Sequence, residues 1–538
     1  LSQITPFLFY LVGGYLAIVG RLDIGALVAV IAAYKDLPGP VKELIDWDQE
    51  RMDTSIKYTQ VIEQFSVDGL TPESQLELVD APHLPHEGSV RVHNLSLLDE
   101  SGGKLLDGVS FEAGLDAHVA IVGASGSGSG ELAMLMARLL LPSSGGVEMG
   151  GVDLTRATEA VTGRATGYVG AVAYLFPISV RENMLYGLKH RPVREFVYEG
   201  EDRRAFDRQM RESVRAGNCT LDMNAQWLDY AAAGVADDRA LEQRMLEVVR
   251  TVDLEETLFE IGLRSAVAAT SGSPQEQSIL RARATMRERL NQPELTELVE
   301  QFDVSRYSRN ATMAENLLFG TPVGRVFNSE SLATHPYVRE VLDKTGLTDD
   351  LLKVAETMLE LFSDLPPGHE LFERFSFIAY DDLPQVKEIV TRVAAAGLER
   401  ISDADRNVLL GLPFKLVATK HRLGLVDESL EGRILEARRY FAENLPPALQ
   451  GAIEFFALDK FNSAASLQDN ILFGKIASGQ AGGGSKIGVL MRQILDELDL
   501  RDMVLTVGLD YQVGTGSSRL SPPDRQKVAL ARALLKRP

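Results

Sequence analysis

VAIVGASGSGSGELAMLMARLLL, residues 119–141, decides the fold. Its apolar start, glycine-rich middle and amphipathic end predict a strand, a loop and a helix in that order. Phosphate-holding loops of this layout follow G-x-x-x-x-G-K-[ST]. Gly123 and Gly128 fit the two glycines, with Ser125, Gly126 and Ser127 between them. Ser129 stands at the lysine position, and Gly130 stands where a metal-binding hydroxyl belongs. Glycines let the backbone turn tightly, so that successive N–H groups surround phosphate oxygens. The helix, expected from Glu131, adds the positive end of its dipole. The lysine charge and the hydroxyl are missing, and Glu131 brings a negative charge to the helix start. Two readings fit these residues: a phosphate cradle without its strongest side chains, or a plain glycine-rich turn.

The chain has 538 residues, enough for several domains, and 45% of them are hydrophobic. Its net charge of −21 argues against nucleic acid as a partner. The single cysteine, Cys219, excludes an internal disulfide framework and suits a reducing compartment. His83 and His86 lie in a proline-rich stretch without a cysteine partner, so no metal site is assigned.

The flanks of the loop narrow the choice. Upstream runs VRVHNLSLLDESGGKLLDGVSFEAGLDAHVAIVG; downstream run LPSSGGVEMGGVDLTRAT and TGYVGAVAYLFPISVRENMLYG. Near the C-terminal end lies VGLDYQVGTGSSRLSPPDRQKVALARALLKRP. Over residues 88 to 189 and 490 to 538, this order resembles the nucleotide-binding domain of an exporter-type ATP-binding cassette (ABC) transporter. The most specific part is LSPPDRQKVALARALLKRP, which resembles the family's L-S-G-G-Q signature, its helix and the R-A-L-x-x-x-P run. The resemblance implies an α/β, P-loop NTPase-like cassette core, with an antiparallel part near residues 90 to 120. It also implies ATP and Mg²⁺ as cofactors.

Most of the family's active positions are changed. The glutamine that senses the γ-phosphate and Mg²⁺ falls at Ala171, and the adenine-stacking aromatic falls near Leu98 or Asp99. In the signature, Leu520 and Ser521 match, but Pro522, Pro523 and Asp524 replace Gly-Gly-Gln. In the family those N–H groups meet the γ-phosphate bound on the partner domain; proline has no N–H. Ser521 with Asp524 three residues on is a capping-box pattern, and proline suits a first helical turn. A carboxylate there would repel phosphate. The resemblance places the Walker B aspartate, the catalytic glutamate and the switch histidine after Pro538, so no catalytic residue is assigned. The sequence, which starts at Leu1, is expected to be a fragment.

PFLFYLVGGYLAIVG (6–20) and IGALVAVIAAY (24–34) are apolar runs separated by Arg21 and Asp23. Each is shorter than the ~20 residues that cross a bilayer, and neither has the charged start of a signal peptide. By themselves they fit a buried helical hairpin. The resemblance instead makes residues 1–65 the C-terminal part of the transmembrane domain, a membrane-type α-helical hairpin whose last helix passes Pro38 and Pro40 into a polar extension. Residues 66–89 are then a linker, 90–189 the first part of the cassette, 190–489 a large, mostly helical insertion, and 490–538 the signature-helix region.

The insertion repeats. SVRENMLYG from Ser179, TMAENLLFG from Thr312 and SLQDNILFG from Ser466 share one pattern. Each is followed by a helical stretch: VDLEETLFEIGL from Val252, TGLTDDLLKVAETML from Thr345, and LDLRDMVLTVGL from Leu498. Each then meets a capping sequence: SPQEQ at Ser273, ISDADR around Ser402, and LSPPDR around Ser521. The common order predicts about three diverged copies of the family's helical subdomain.

Two functions follow from the resemblance. One is a transporter subunit that links nucleotide binding to export of an unread substrate, with little hydrolysis at its own site. It would be a homodimer or a heterodimer with another ABC subunit, held in the lipid bilayer of an inner or plasma membrane with its cassette in the cytoplasm. The other is an inactive cassette serving as a regulatory or dimerisation scaffold.

Overall fold

The computed structural model describes the chain except residues 1–3, 67–72, 77–83, 85–86, 100, 268–271, 329–330, 364–387, 390, 394–400 and 481. His83 and His86 lie outside the described residues. Two compact units result: residues 1–80 with 156–160, and residues 81–155 with 161–538.

In the first unit, α1 (Ile4–Ile18) and α2 (Ile24–Asp36) form a hairpin. Asp23 caps α2 by accepting the Gly25 N–H at 2.9 Å. Phe9 and Tyr34 meet across the hairpin with ring centres 5.3 Å apart, and Gly13 leaves room for Leu27. α3 (Pro38–Phe65) continues α2 without a break, because Leu37 is helical and proline is tolerated in a first turn. Ile24–Phe65 is thus one 42-residue helix, long and apolar enough at its start to cross a membrane. No residue of α2 is buried, and Leu8, Leu11, Ile18, Ile24 and Val28 are exposed.

α4 (Glu73–Leu76) also belongs to the first unit, and the second unit begins with a sheet in the order β2-β1-β3-β4. β1 (Ser89–Leu98) pairs antiparallel with β2 (Lys104–Gly114) and β3 (Ser144–Met149); β3 pairs with β4 (Val152–Asp153). Alternation places Val90 and Val92 inward and, after a one-residue shift at Asn94 (φ +47°), Leu95 and Leu97, against Leu132 and Leu135 of α5 (Ser129–Met136). The predicted strand before the phosphate loop does not form. Among the described residues no strand pairs with 117–124, and Val119, Ile121 and Val122 are exposed. An apolar run becomes a strand only beside others, since its backbone groups need partners.

After α6 (Glu159–Ala165) the chain is mostly helical: α7 (Val180–Leu185), α8 (Gly200–Ala216), α9 (Asp238–Thr251), α10 (Glu255–Arg264), α11 (Pro274–Leu290), α12 (Met313–Leu318), α13 (Pro336–Lys344) and α14 (Leu347–Ser363). Then come α15 (Asp403–Phe414), α16 (Ala418–His421), α17 (Glu428–Glu443), α18 (Leu467–Leu472), α19 (Gly483–Glu497), α20 (Arg501–Leu509) and α21 (Pro522–Leu535). Two cores hold most of them. One gathers α7, α9, α10, α11, α18, α19, α20 and α21; the other gathers α12, α13, α14, α15 and α17.

One local device occurs three times. Ser179, Thr312 and Ser466 cap α7, α12 and α18, and the asparagine of each helix is buried. Asn183 Oδ1 accepts the Phe176 N–H and its Nδ2 donates to the Phe176 and Ser179 carbonyls. Asn316 does the same with Ser308 and Thr312, and Asn470 with Asn462 and Ser466. Each asparagine also receives an arginine fork. Arg532 meets the Asn183 carbonyl and Oδ1, both at 2.9 Å. Arg438 meets the same atoms of Asn316 at 2.6 and 2.9 Å, and Arg283 those of Asn470 at 2.7 and 3.0 Å. Burial pushes the Arg283 and Arg438 guanidinium groups down to about 10. Their N–H groups are nevertheless taken up: Arg283 donates to the Ala457, Leu458 and Lys460 carbonyls, Arg438 to those of Val304 and Arg306.

Two short ladders join residues 299–322 to 453–476. β5 (Val299–Gln301) pairs with β8 (Gly474–Ile476), and β6 (Gly320–Pro322) with β7 (Ile453–Phe455). Phe302 stacks on Phe456 with centres 4.6 Å apart, and Phe319 and Phe473 meet them edge-on. The matching positions on the two sides describe a local pseudo-twofold.

Candidate nucleotide-binding site

Residues 123–130 join the unpaired segment to α5. Gly126 and Gly128 both have φ of +81°, a conformation that turns successive N–H groups to one side. Gly128 is packed against β2: a Cβ on it would lie 2.7 Å from the Leu105 carbonyl oxygen. A Cβ on Gly123 would lie 2.1 Å from Ser127 Oγ. The Ser127 N–H donates to the Ala124 carbonyl at 3.0 Å, closing the turn. No side chain caps α5, whose internal bonding starts with the Leu132 N–H on the Gly128 carbonyl. The helix starts at Ser129, two residues before the expected Glu131. Ser125, Ser127 and Gly130 are exposed and Ser129 is half-buried.

The backbone turn therefore fits phosphate, and the position expected to supply a metal-binding hydroxyl is a glycine. Gly130 has no side-chain ligand atom, and the Glu131 carboxylate in the first turn of α5 sets a negative charge near any phosphate there. Ala171 lies exposed in an irregular stretch, and its methyl has no polar atom. Leu98 ends β1. Asp99 is engaged in its own turn, accepting the Ser101 and Gly103 N–H groups, and the Ser101 hydroxyl holds its carboxylate below the usual range.

At the signature position, Ser521 is the N-cap of α21 and accepts the Asp524 N–H at 3.3 Å. The expected reciprocal bond takes another form: the Asp524 carboxylate accepts from the Ser521 hydroxyl and, at 3.1 Å, from Thr257 Oγ1. Pro522 and Pro523 are exposed and Leu520 is buried. Lys527 ties the next turn to Asp253. α21 packs on α7 and α9, while loop 123–130 packs on β2. The helix end is closed by its own groups.

Residues 106–355 match the ABC transporter family. That stretch carries an ABC transporter domain, and the proteins the chain is similar to include exporters. It is 30% identical over 171 residues to the mitochondrial iron-sulfur clusters transporter ABCB7 of Danio rerio, covering 31% of this chain and 22% of that protein. It is 27% identical over 223 residues to an ATM1-type heavy metal exporter of Novosphingobium aromaticivorans, covering 37% of each. The chain thus spans well under half the length of these relatives. A solved bacterial Atm1-family ABC exporter with ATP bound covers 44% of each chain at 20% identity, with a TM-score of 0.26.

The three arginine forks have a signal in the sequence beyond the motifs named above. Ile279-Ala282-Arg283-Met286, Ile434-Ala437-Arg438-Phe441 and Val528-Ala531-Arg532-Leu535 share one spacing. By that spacing, the helix matching α11 and α21 is α17, capped by Asp427. Ser402 does cap a helix, α15, but that helix contains no such arginine.

Proposed function

We propose that this chain is part of an ABC exporter in which a membrane-embedded helical hairpin is fused to a degenerate cassette. The observation that supports this reading most is α2: an apolar helix with no buried residue, in the same chain as an ABC transporter domain. Exposing so many Leu, Ile and Val side chains to water costs about 25 cal/mol per Å² of apolar surface, and a lipid environment removes that cost. The chain would act as a homodimer, or as the degenerate half of a heterodimer, with its cassette in the cytoplasm.

ATP would meet Gly123, Ser125, Gly126, Ser127 and Gly128 through their backbone, with Ser129 and Gly130 at the helix start. The nucleotide supplies the energy for transport when it is hydrolysed. Lysine and metal each stabilise phosphoryl charge by several kcal/mol in related enzymes. This chain offers neither a cation at Ser129 nor a metal ligand at Gly130, and Ala171 cannot position water. Weak binding and very slow hydrolysis follow. In a homodimer each site would also face Pro522, Pro523 and the Asp524 carboxylate.

The second reading, a regulatory scaffold, draws on the closed end of α21. The test is steady-state MgATP hydrolysis by the purified chain in lipid nanodiscs, alone and with Ser129→Lys/Gly130→Ser. Transport with a degenerate site predicts background turnover and a gain in nucleotide binding in the double variant. Failure to enter nanodiscs or to float with liposomes would remove the membrane reading.

A further inference from the structure

The three arginine forks are not closed in the same way. Asn316 and Arg438 belong to one copy of the pattern, and so do Thr312 and Val417, which form a bridge. The other two copies trade. Asn183, from the first copy, is held by Arg532 of the last; Asn470, from the last, is held by Arg283 of the first. The bridges follow suit: Ser179 pairs with Gln512, and Ala266 pairs with Ser466. Arg181 of the first copy likewise bonds Asp510 and the Thr506 carbonyl of the last.

The crossing point is between α10 and α20. Gly262 of α10 lies so close to α20 that a Cβ would be 2.2 Å from the Val504 carbonyl oxygen. Gly508 of α20 mirrors it, with a Cβ 2.1 Å from the Leu258 carbonyl oxygen. VDLEETLFEIGL and LDLRDMVLTVGL place these glycines, and Leu258 and Val504, at matching positions. Arg501 meets Glu255, its own counterpart, at 2.7 Å. Just before each helix, Asp253 and Asp499 are left-handed, with φ of +57° and +54°. Gly346 holds the same place before α14, with φ of +66°. One joint therefore serves both the self-closed copy and the two traded ones.

We propose that the first and last copies have exchanged their C-terminal helix pairs within one chain, with joints at Asp253 and Asp499, and that this exchange mechanically couples α21 to the insertion. α7 and α9 are completed by α20 and α21, while α18 and α19 are completed by α10 and α11. Domain swapping between protomers uses the same economy: identical surfaces accept either partner. Here the two partners are tethered, so the exchanged state needs no second chain. The Asn183–Arg532 fork cannot open by a large movement of α20 without disturbing α10, and through it Arg283 and Asn470. The helix beginning at Ser521 is thereby linked to residues 266–476. This inference concerns the helical block alone and does not rest on the transport reading.

Disulfide trapping tests it in the whole 538-residue chain with Cys219→Ser, since Cys219 is the free cysteine. Exchange predicts that Ser179→Cys/Gln512→Cys and Ala266→Cys/Ser466→Cys each cross-link within the monomer. Ser179→Cys/Ala266→Cys and Ser466→Cys/Gln512→Cys should not. The reverse pattern would overturn the exchange. Coupling is read by amide hydrogen exchange on the Ala266→Cys/Ser466→Cys chain. Oxidation should slow exchange in α7 and α21 by roughly tenfold or more relative to the reduced chain. Slowing confined to α10, α11 and α18 would leave the exchange standing and overturn the coupling.

Discussion

Replacing Arg283 with alanine should be among the most damaging single changes in the helical block. The side chain is 3% exposed and donates to five acceptors: the Asn470 carbonyl and Oδ1, and the carbonyls of Ala457, Leu458 and Lys460. Its guanidinium also lies 4.6 Å from the Phe473 ring centre. A hydrogen bond to a charged group is worth about 1.5–3 kcal/mol net, and a buried acceptor left unpaired costs about 1–3 kcal/mol. These terms are not additive, and water entering the vacated space will satisfy some carbonyls. A loss of about 4 kcal/mol remains, or about a thousandfold in the local opening constant. Arg289 on the same helix is the control: its pair with Glu497 is at the surface, and such pairs are worth about 0–1 kcal/mol. Amide exchange in α11 and α18 should be about a thousandfold faster in Arg283→Ala and nearly unchanged in Arg289→Ala. Arg283→Lys should recover little, because one ammonium cannot span the fork. If Arg283→Ala and Arg289→Ala opened within tenfold of each other, the argument that these forks hold the helical block would be wrong.

His421 is buried and accepts the Val417 N–H on Nδ1 at 2.8 Å, which requires the neutral ring. Burial, helped by the Lys420 charge, pushes its pKa down to about 4. The unfolded chain then binds the extra proton below its own value of about 6.5, so the stabilisation is intact above that pH and is lost as pH falls towards 4. The full loss is about 3 kcal/mol, and urea midpoints of His421→Gln should show a flatter pH profile across this window. Gly128→Ala forces a Cβ to within 2.7 Å of the Leu105 carbonyl oxygen at a φ of +81°, and should lower the thermal midpoint by several degrees, read by circular dichroism. Gly508→Ala meets the Leu258 carbonyl oxygen at 2.1 Å and should speed amide exchange in α10 as well as α20. Exchange faster in α20 alone would count against the tight crossing.

Much of the local structure was legible because it is written in short-range chemistry. Ser179, Thr312 and Ser466, each with a carboxylate three residues on, mark helix starts by satisfying free N–H groups. The alternation in VRVHNLSLL marks β1. The Ser402 capping pattern was equally legible and placed α15, yet local chemistry says nothing about which helix supplies an arginine to Asn316. That choice depends on packing across the 122 positions that separate Arg438 from Asn316. The exchange at Asp253 and Asp499 is hidden for a sharper reason: traded and self-closed copies bury the same surfaces and use the same residues. Residues 119–123 look like a strand because they are apolar and β-branched, but a ladder needs neighbours. At the candidate site, the glycines disclose the turn, while the lost cation and hydroxyl are visible only as substitutions at Ser129 and Gly130.

Equilibrium binding of labelled ATP to the purified chain, with and without Mg²⁺, bears most directly on the proposal that the backbone cradle persists without its cation and metal ligand. Weak binding that Mg²⁺ does not strengthen, and that rises at least tenfold in Ser129→Lys/Gly130→Ser, is the expected result. Tight, Mg²⁺-dependent binding by the unaltered chain, abolished by Gly128→Ala, would contradict it.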